Sequence, residues 1–196
     1  ILPANPMKQL ERREKYQPKA QEREYLTIEE LRRLMNEPCS NEQVKKAFVF
    51  SCFAGLRLSD VRTLTWRNVL KSSDGKTVYV HVFMQKTQKS NNVPLSNEAL
   101  ACLIKKENLD EPIFVLPASD ATINYHVKRW VKAAGIDKTI SFHCSRHTFA
   151  TLTLTAGGDL YTTSLLGHTN IHSTEIYADV VMERRTQAVN LLNAIF

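Results

Sequence analysis

Residues 77–84, TVYVHVFM, interrupt a chain that otherwise carries a helical rhythm. Their β-branched and aromatic side chains, preceded by the turn signal Asp74-Gly75, read as a strand. A polar turn, QKTQKSNN (85–92), leads from it into VPL (93–95), so the segment is expected to form a small antiparallel sheet inserted between helices. Upstream, TIEE (27–30) is a capping box, and Leu31, Leu34 and Met35 follow as the buried face of a first helix. A second helix is expected from Asn41 to about Phe53, because VKKAFVFSCF is too apolar for a surface helix. Gly55 permits a sharp turn, after which Ser59 can cap a third helix carrying Val61, Leu64 and Trp66. Downstream, Ser96 caps a further helix, and Ile123, Val127, Trp130 and Val131 stripe another. From Ser145 on, helix is expected to the end, with breaks at Gly157-Gly158 and Gly167. The expected fold class is mainly α with one small antiparallel β-sheet, an α+β arrangement.

The 196 residues are 43% hydrophobic and 23% charged, which suits one large domain with a sizeable core and excludes a wholly disordered chain. No apolar run reaches the length of a membrane span, and ILPANPMKQLERR lacks the pattern of a secretory signal. Cys39, Cys52, Cys102 and Cys144 are scattered, so neither a zinc site nor a disulfide framework is expected, and the expected compartment is the cytoplasm. Pro3, Pro6 and Pro18 punctuate a charged opening without apolar periodicity, which reads as a linker over residues 1–25 or as a basic strap along DNA. The net charge is +6. Between residues 57 and 93, seven basic residues face two acidic ones, a local net of +5, which is the footprint of a phosphate-backbone binder.

Three clusters carry side chains suited to phosphate. In AGLRLSDV, Arg57 follows a glycine turn and Asp60 stands three residues on; a guanidinium can offer its planar fork to a phosphate while a carboxylate holds it in place. A surface ion pair at the same spacing is the plainer alternative. In HCSRHTFAT (143–151), His143, Arg146 and His147 gather donors at one helix start. A metal reading of that cluster lacks further ligands, since only Cys144 is at hand. In LLGHTNIHSTEIYADV (165–180), His168 follows Gly167 at a turn and Tyr177 comes nine residues later; alone, such a tyrosine reads as a packed aromatic. Lys86 and Lys89 lie in the turn of the expected hairpin, where lysines commonly guard a sheet edge.

In this order the clusters resemble the catalytic domain of the tyrosine recombinases, the phage integrase family. That family shows G-L-R-x-S-[DE], a hairpin lysine, H-x-x-R-H, L-G-H and a tyrosine nine residues on. Here these stand as Gly55 to Asp60, Lys86, His143 to His147, Leu166-Gly167-His168 and Tyr177. Lys86, seven residues before Val93, matches the family's hairpin, with Lys89 as the fallback. The interval from Arg146 to His168 is one residue shorter than the family's usual spacing. The resemblance divides the chain into a linker (1–25) from an N-terminal core-binding domain, a catalytic domain (26–182) and a helical tail (183–196).

The resemblance implies strand exchange without metal, ATP or any other cofactor. Tyr177 would attack a DNA phosphodiester to form a 3′-phosphotyrosyl link. Arg57, Arg146 and His168 would hold the non-bridging oxygens, Lys86 would protonate the leaving 5′-oxygen and His143 would help remove the tyrosine proton. Asp60 and His147 would support them. The implied partner is double-stranded DNA at a specific site, with a homotetramer on paired sites assembled through the amphipathic tail, in which Ala188, Leu191, Leu192 and Ile195 form one side. A mobile-element integrase is the role the spacing suggests. The alternatives are a type IB topoisomerase and a non-catalytic DNA-binding domain of the same fold.

Overall fold

The computed structural model describes residues 24–84, 88–103 and 108–157. Helix α1 spans Ile28–Asn36 and starts at the expected capping box, in which the Thr27 hydroxyl accepts from the Glu30 amide and the Glu30 carboxylate accepts from the Thr27 amide. Helix α2 spans Glu42–Ala54, and the Asn41 side chain caps it by accepting from the amides of Gln43 and Val44. Nearly every apolar residue of α2 is buried, as its lack of a polar face predicts. It ends at Gly55, whose φ of 67° lies in the left-handed region that a Cβ disfavours.

Helix α3 is short, Leu58–Arg62. Arg57, not Ser59, occupies its N-cap, so the chain enters the helix earlier than expected. Leu56 enters the core at 1% exposure directly after the glycine turn. Leu64 is buried beyond the helix end, and Trp66 opens a single turn of 3-10 helix, Trp66–Asn68, rather than extending α3.

The sheet has three antiparallel strands in the order β1-β2-β3: β1 Val69–Lys71, β2 Val78–Met84 and β3 Lys89–Pro94. The first was not expected. Its three residues pair Val69 with Val80 and Lys71 with Val78, and such a short edge has little sequence signal of its own. The third begins four residues earlier than VPL, because the pairing of β2 with β3 runs from Tyr79–Pro94 to Met84–Lys89. Along β2, Val80, Val82 and Met84 face the core while His81 and Phe83 are exposed.

Helix α4 (Asn97–Ala101) is capped by Ser96, and α5 (Asp120–Ala133) by Ser119. The expected stripe of α5, Ile123, Val127, Trp130 and Val131, is buried. Helix α6 spans Cys144–Thr155 and packs against α2. Phe48 of α2 meets Trp130 and Phe142 edge-on, at centroid distances of 5.9 and 5.7 Å. Such pairs add to the burial of their area. The fold is thus helix-rich with one small antiparallel sheet. Among the described residues no helix is long and apolar enough to cross a membrane.

Two ties bring the residues just ahead of α1 and its first turn onto this frame. The Leu26 amide donates to the Thr148 hydroxyl of α6 at 3.0 Å, fully buried. Lys138 donates to the Glu30 carboxylate at 2.7 Å and to the Tyr25 carbonyl at 3.0 Å. Burial works to raise the Glu30 pKa, but the Lys138 hydrogen bond and charge, with the Thr27 donors, bring it below its ordinary value of 4.5. A lowered folded-state pKa means the stabilisation is complete above the unfolded value and fades as pH falls through the folded one. Glu30→Gln preserves the cap and removes the charge, so it should cost about 1 kcal/mol at pH 7. Thermal unfolding of both forms should show that difference shrinking below pH 4.5; an equal gap at pH 3 and pH 7 would contradict the assignment.

Candidate active site

Two of the three sequence clusters meet in space. The turn between α2 and α3 holds Gly55, Leu56 and Arg57, and the N-terminal turn of α6 holds Arg146 and His147. Arg146 is 2% exposed, and its Nη1 donates to the Gly55 carbonyl at 2.6 Å across 91 residues of sequence. A guanidinium taken out of water is costly unless its donors are engaged, so this bond commits the Gly55 carbonyl to point at α6.

Arg57 sits at the α3 N-cap, half-buried, with its Nη1 atom buried. Asp60, one turn on, is completely buried, so it is no surface partner in a helical ion pair. His143 occupies the N-cap position of α6 and is exposed. His147 is 1% exposed, its ring standing edge-on to that of His143 at 5.0 Å. The three expected donors therefore do not share one open helix start: His143 reaches solvent, while Arg146 and His147 are drawn inward. The structure thus brings Arg57, Asp60, His143, Arg146 and His147 into one region. Lys86, His168, Tyr177 and the tail lie outside the described residues. Lys89, the fallback lysine, opens β3 opposite Met84 and is exposed.

Hydroxyls that sequence reasoning missed hold the two turns together. Ser51 of α2 is within 2.6 Å of the Leu56 carbonyl and 2.7 Å of Ser145 on α6, which itself lies 2.6 Å from the Phe142 carbonyl. Both serines are buried. The available signal was a lone hydroxyl in the apolar run FVFSCF, which forecasts a buried polar partner somewhere without naming it. Asn124 of α5 also went unnoticed; its side-chain oxygen accepts from the Phe142 amide at 2.8 Å and fixes the approach to His143.

The local charge differs from its linear sum. Arg62 pairs with Asp120 and donates to the Pro117 carbonyl, while Arg67 makes a two-pronged contact with Asp110. Two of the seven basic residues between 57 and 93 are thus answered by acids from beyond that stretch. Burial pushes the Cys102 thiol up to about 11 and the Cys52 thiol well above its usual value. Neither is a poised nucleophile. Among the described residues no three His, Cys, Asp or Glu side chains gather in a metal-holding group.

The family model described as phage integrase family matches residues 24–184. The chain belongs to the phage integrase family. It is 34% identical over 193 residues to the tyrosine recombinase XerC of Natranaerobius thermophilus, covering 85% of this chain and 62% of that one. It therefore spans less than two thirds of that curated relative's length. Among solved structures, the catalytic domain of bacteriophage HP1 integrase is 26% identical with a TM-score of 0.61, covering 85% of this chain and 93% of that one. A lambda integrase dimer bound to a COC′ core site shares the fold at TM-score 0.64 and 24% identity, covering 82% and 60%.

The burial difference between the two arginines sets different costs for losing them. Arg146→Ala should destabilise the protein by about 2–4 kcal/mol, since it leaves buried carbonyl and cavity behind. Arg57→Ala, at a half-exposed position, should cost about 1 kcal/mol or less. Urea unfolding of the two variants should give this order, and the reverse order would contradict the placement of Arg146 in the interior.

Proposed function

We propose that this chain is the catalytic portion of a site-specific DNA recombinase that cuts and rejoins strands through a phosphotyrosyl intermediate. The observation that carries the reading is the bond from Arg146 to the Gly55 carbonyl, two residues from Arg57. It puts the two guanidinium-bearing motifs of the family at one place although they lie far apart in sequence.

The chemistry is a pair of transesterifications. The Tyr177 hydroxyl attacks phosphorus, a bond to tyrosine oxygen forms, and the bond to the 5′-oxygen breaks. The tyrosine proton passes to His143, the exposed imidazole of the cluster, and Lys86 delivers a proton to the departing 5′-oxygen. Negative charge that builds on the non-bridging oxygens is met by Arg57, Arg146 and His168, the two arginines being held by the fold before the substrate arrives. Asp60 and His147, both buried, hold the arrangement from behind. A 5′-hydroxyl from a second strand then reverses the step, so the phosphoester energy is conserved in the covalent link.

The proposed partner is double-stranded DNA at a specific recombination site. Residues 1–25 act as the linker to a core-binding domain, residues 26–182 as the catalytic domain, and the 183–196 tail as the contact that assembles a tetramer on paired sites. The short interval between Arg146 and His168 and the Lys86-Thr87 hairpin favour the role of a mobile-element integrase.

Nicked suicide DNA from the parent element, incubated with the protein in EDTA and run on a denaturing gel, tests the chemistry. The expected result is a covalent adduct with the wild-type chain and none with Tyr177→Phe. Absence of adduct in both, despite clear DNA binding by the full-length protein, would favour the non-catalytic reading. Removal of residues 183–196 should abolish pairing of two sites in a native gel while single-site binding persists; unchanged pairing would exclude the tail as the assembly element.

A further inference from the structure

The two buried serines between α2 and α6 present a counting problem. Four oxygens stand in line: the Leu56 carbonyl, Ser51 Oγ, Ser145 Oγ and the Phe142 carbonyl. Three contacts of 2.6, 2.7 and 2.6 Å join them. Each serine has one hydroxyl proton, and the carbonyls have none. Two protons cannot fill three gaps, so one contact at any moment is oxygen against oxygen.

The surroundings fix the Ser51 proton. The Phe142 carbonyl already accepts the backbone amide of Ser145 at 3.1 Å. It therefore stays satisfied without the Ser145 hydroxyl. Among the described residues the Leu56 carbonyl takes its hydrogen bond from Ser51. Withdrawing that donor would leave a buried carbonyl unmet, and a buried unmet acceptor is the more expensive outcome. Ser51 therefore donates to Leu56, and Ser145, whose other acceptor is the Phe142 carbonyl at 2.6 Å, can donate to Ser51.

We propose that Ser51 is a positioning residue for Arg57, and that Ser145 polarises it through this one-way pair of hydroxyls. The Leu56 carbonyl and the Arg57 amide belong to one rigid peptide plane, so holding the first orients the second. The preceding plane is held as well, because its Gly55 carbonyl receives Arg146. Two successive peptide planes ahead of Arg57 are thus fixed, one by Arg146 directly and one by Ser51 with Ser145 behind it. The arginine at 57 is set against the arginine at 146 by main chain on one side and by hydroxyls on the other.

This role rests on the proposed transesterification, but the direction of the pair can be read separately. Ser51→Ala removes the donor to Leu56. Ser145→Ala leaves that donor in place and removes only its support. In the 196-residue chain, single-turnover adduct formation on nicked DNA should fall about tenfold or more for Ser51→Ala, and by less for Ser145→Ala, since small misplacement of a catalytic group is costly to rate. DNA affinity should stay within about twofold of wild type, because phosphate contacts elsewhere are untouched. Amide hydrogen exchange should quicken at residues 56–60 in Ser51→Ala without a general rise across α2 and α6. Ser51→Cys, similar in shape with a weak donor, provides the same reading if the alanine variant folds poorly.

Wild-type exchange at 56–60 in both Ser51 variants would overturn the proposal, as would an effect of Ser145→Ala that equals or exceeds that of Ser51→Ala. If neither the wild-type chain nor the DNA-bound full-length protein forms an adduct, the recombinase reading fails while the exchange order still decides the hydroxyl pair.

Discussion

The buried guanidinium of Arg146 is the constraint from which most of the arrangement follows. Its charge is tolerable in the interior only with acceptors aimed at it. One of these is the Gly55 carbonyl, which can point at α6 because the residue adopts a left-handed conformation. A side chain at that position would strain the turn, so glycine there serves both the end of α2 and the seat of Arg146. Once α2 must stop at Gly55, Leu56 is left to enter the core and Arg57 falls at the head of α3. One interior charge therefore dictates where one helix ends, where the next begins and where the second arginine stands.

The frame that resists this charge is aromatic and central. Helix α2 is buried nearly all round, and its Phe48 joins α5 through Trp130 and the approach to α6 through Phe142. Polar bonds then trim the geometry where apolar packing has no directional preference. Asn124 grips the Phe142 amide, Trp130 donates to the Glu37 carbonyl, and Thr148 receives the Leu26 amide. Packing sets the distance between helices and these bonds set their register, a division expected when close-packed interiors are non-directional and hydrogen bonds are not.

What sequence could foretell follows from how local each cause is. Thr27 and Ser96 announced their helices because a cap acts within three residues. Residues 77–84 announced β2 through side-chain type alone. By contrast, β1 exists because β2 offers it a partner, and its three residues carry too little preference to be seen in isolation. The inward placement of Arg146 and His147 was hidden for a similar reason. Their motif reads as donors at a helix start, and nothing nearby in sequence says that Gly55 waits on the other side. Arg57, Asp60 and His143 were singled out by family motif and chemistry together. Ser51 and Ser145, whose meaning lies wholly in their encounter across 94 residues, were not.

The ion pairs on the flank of the sheet carry a further implication. A polyanion approaching a cationic surface gains affinity largely by releasing the small counterions it had condensed. Arg67, locked by two bonds to Asp110, and Arg62, bonded to Asp120 and to a main-chain carbonyl, already have their anions built in. They can contribute little to that release. The surface around residues 57–93 therefore behaves toward salt as a less highly charged one than its composition suggests, and a larger share of its discrimination is left to shape and to fixed donors.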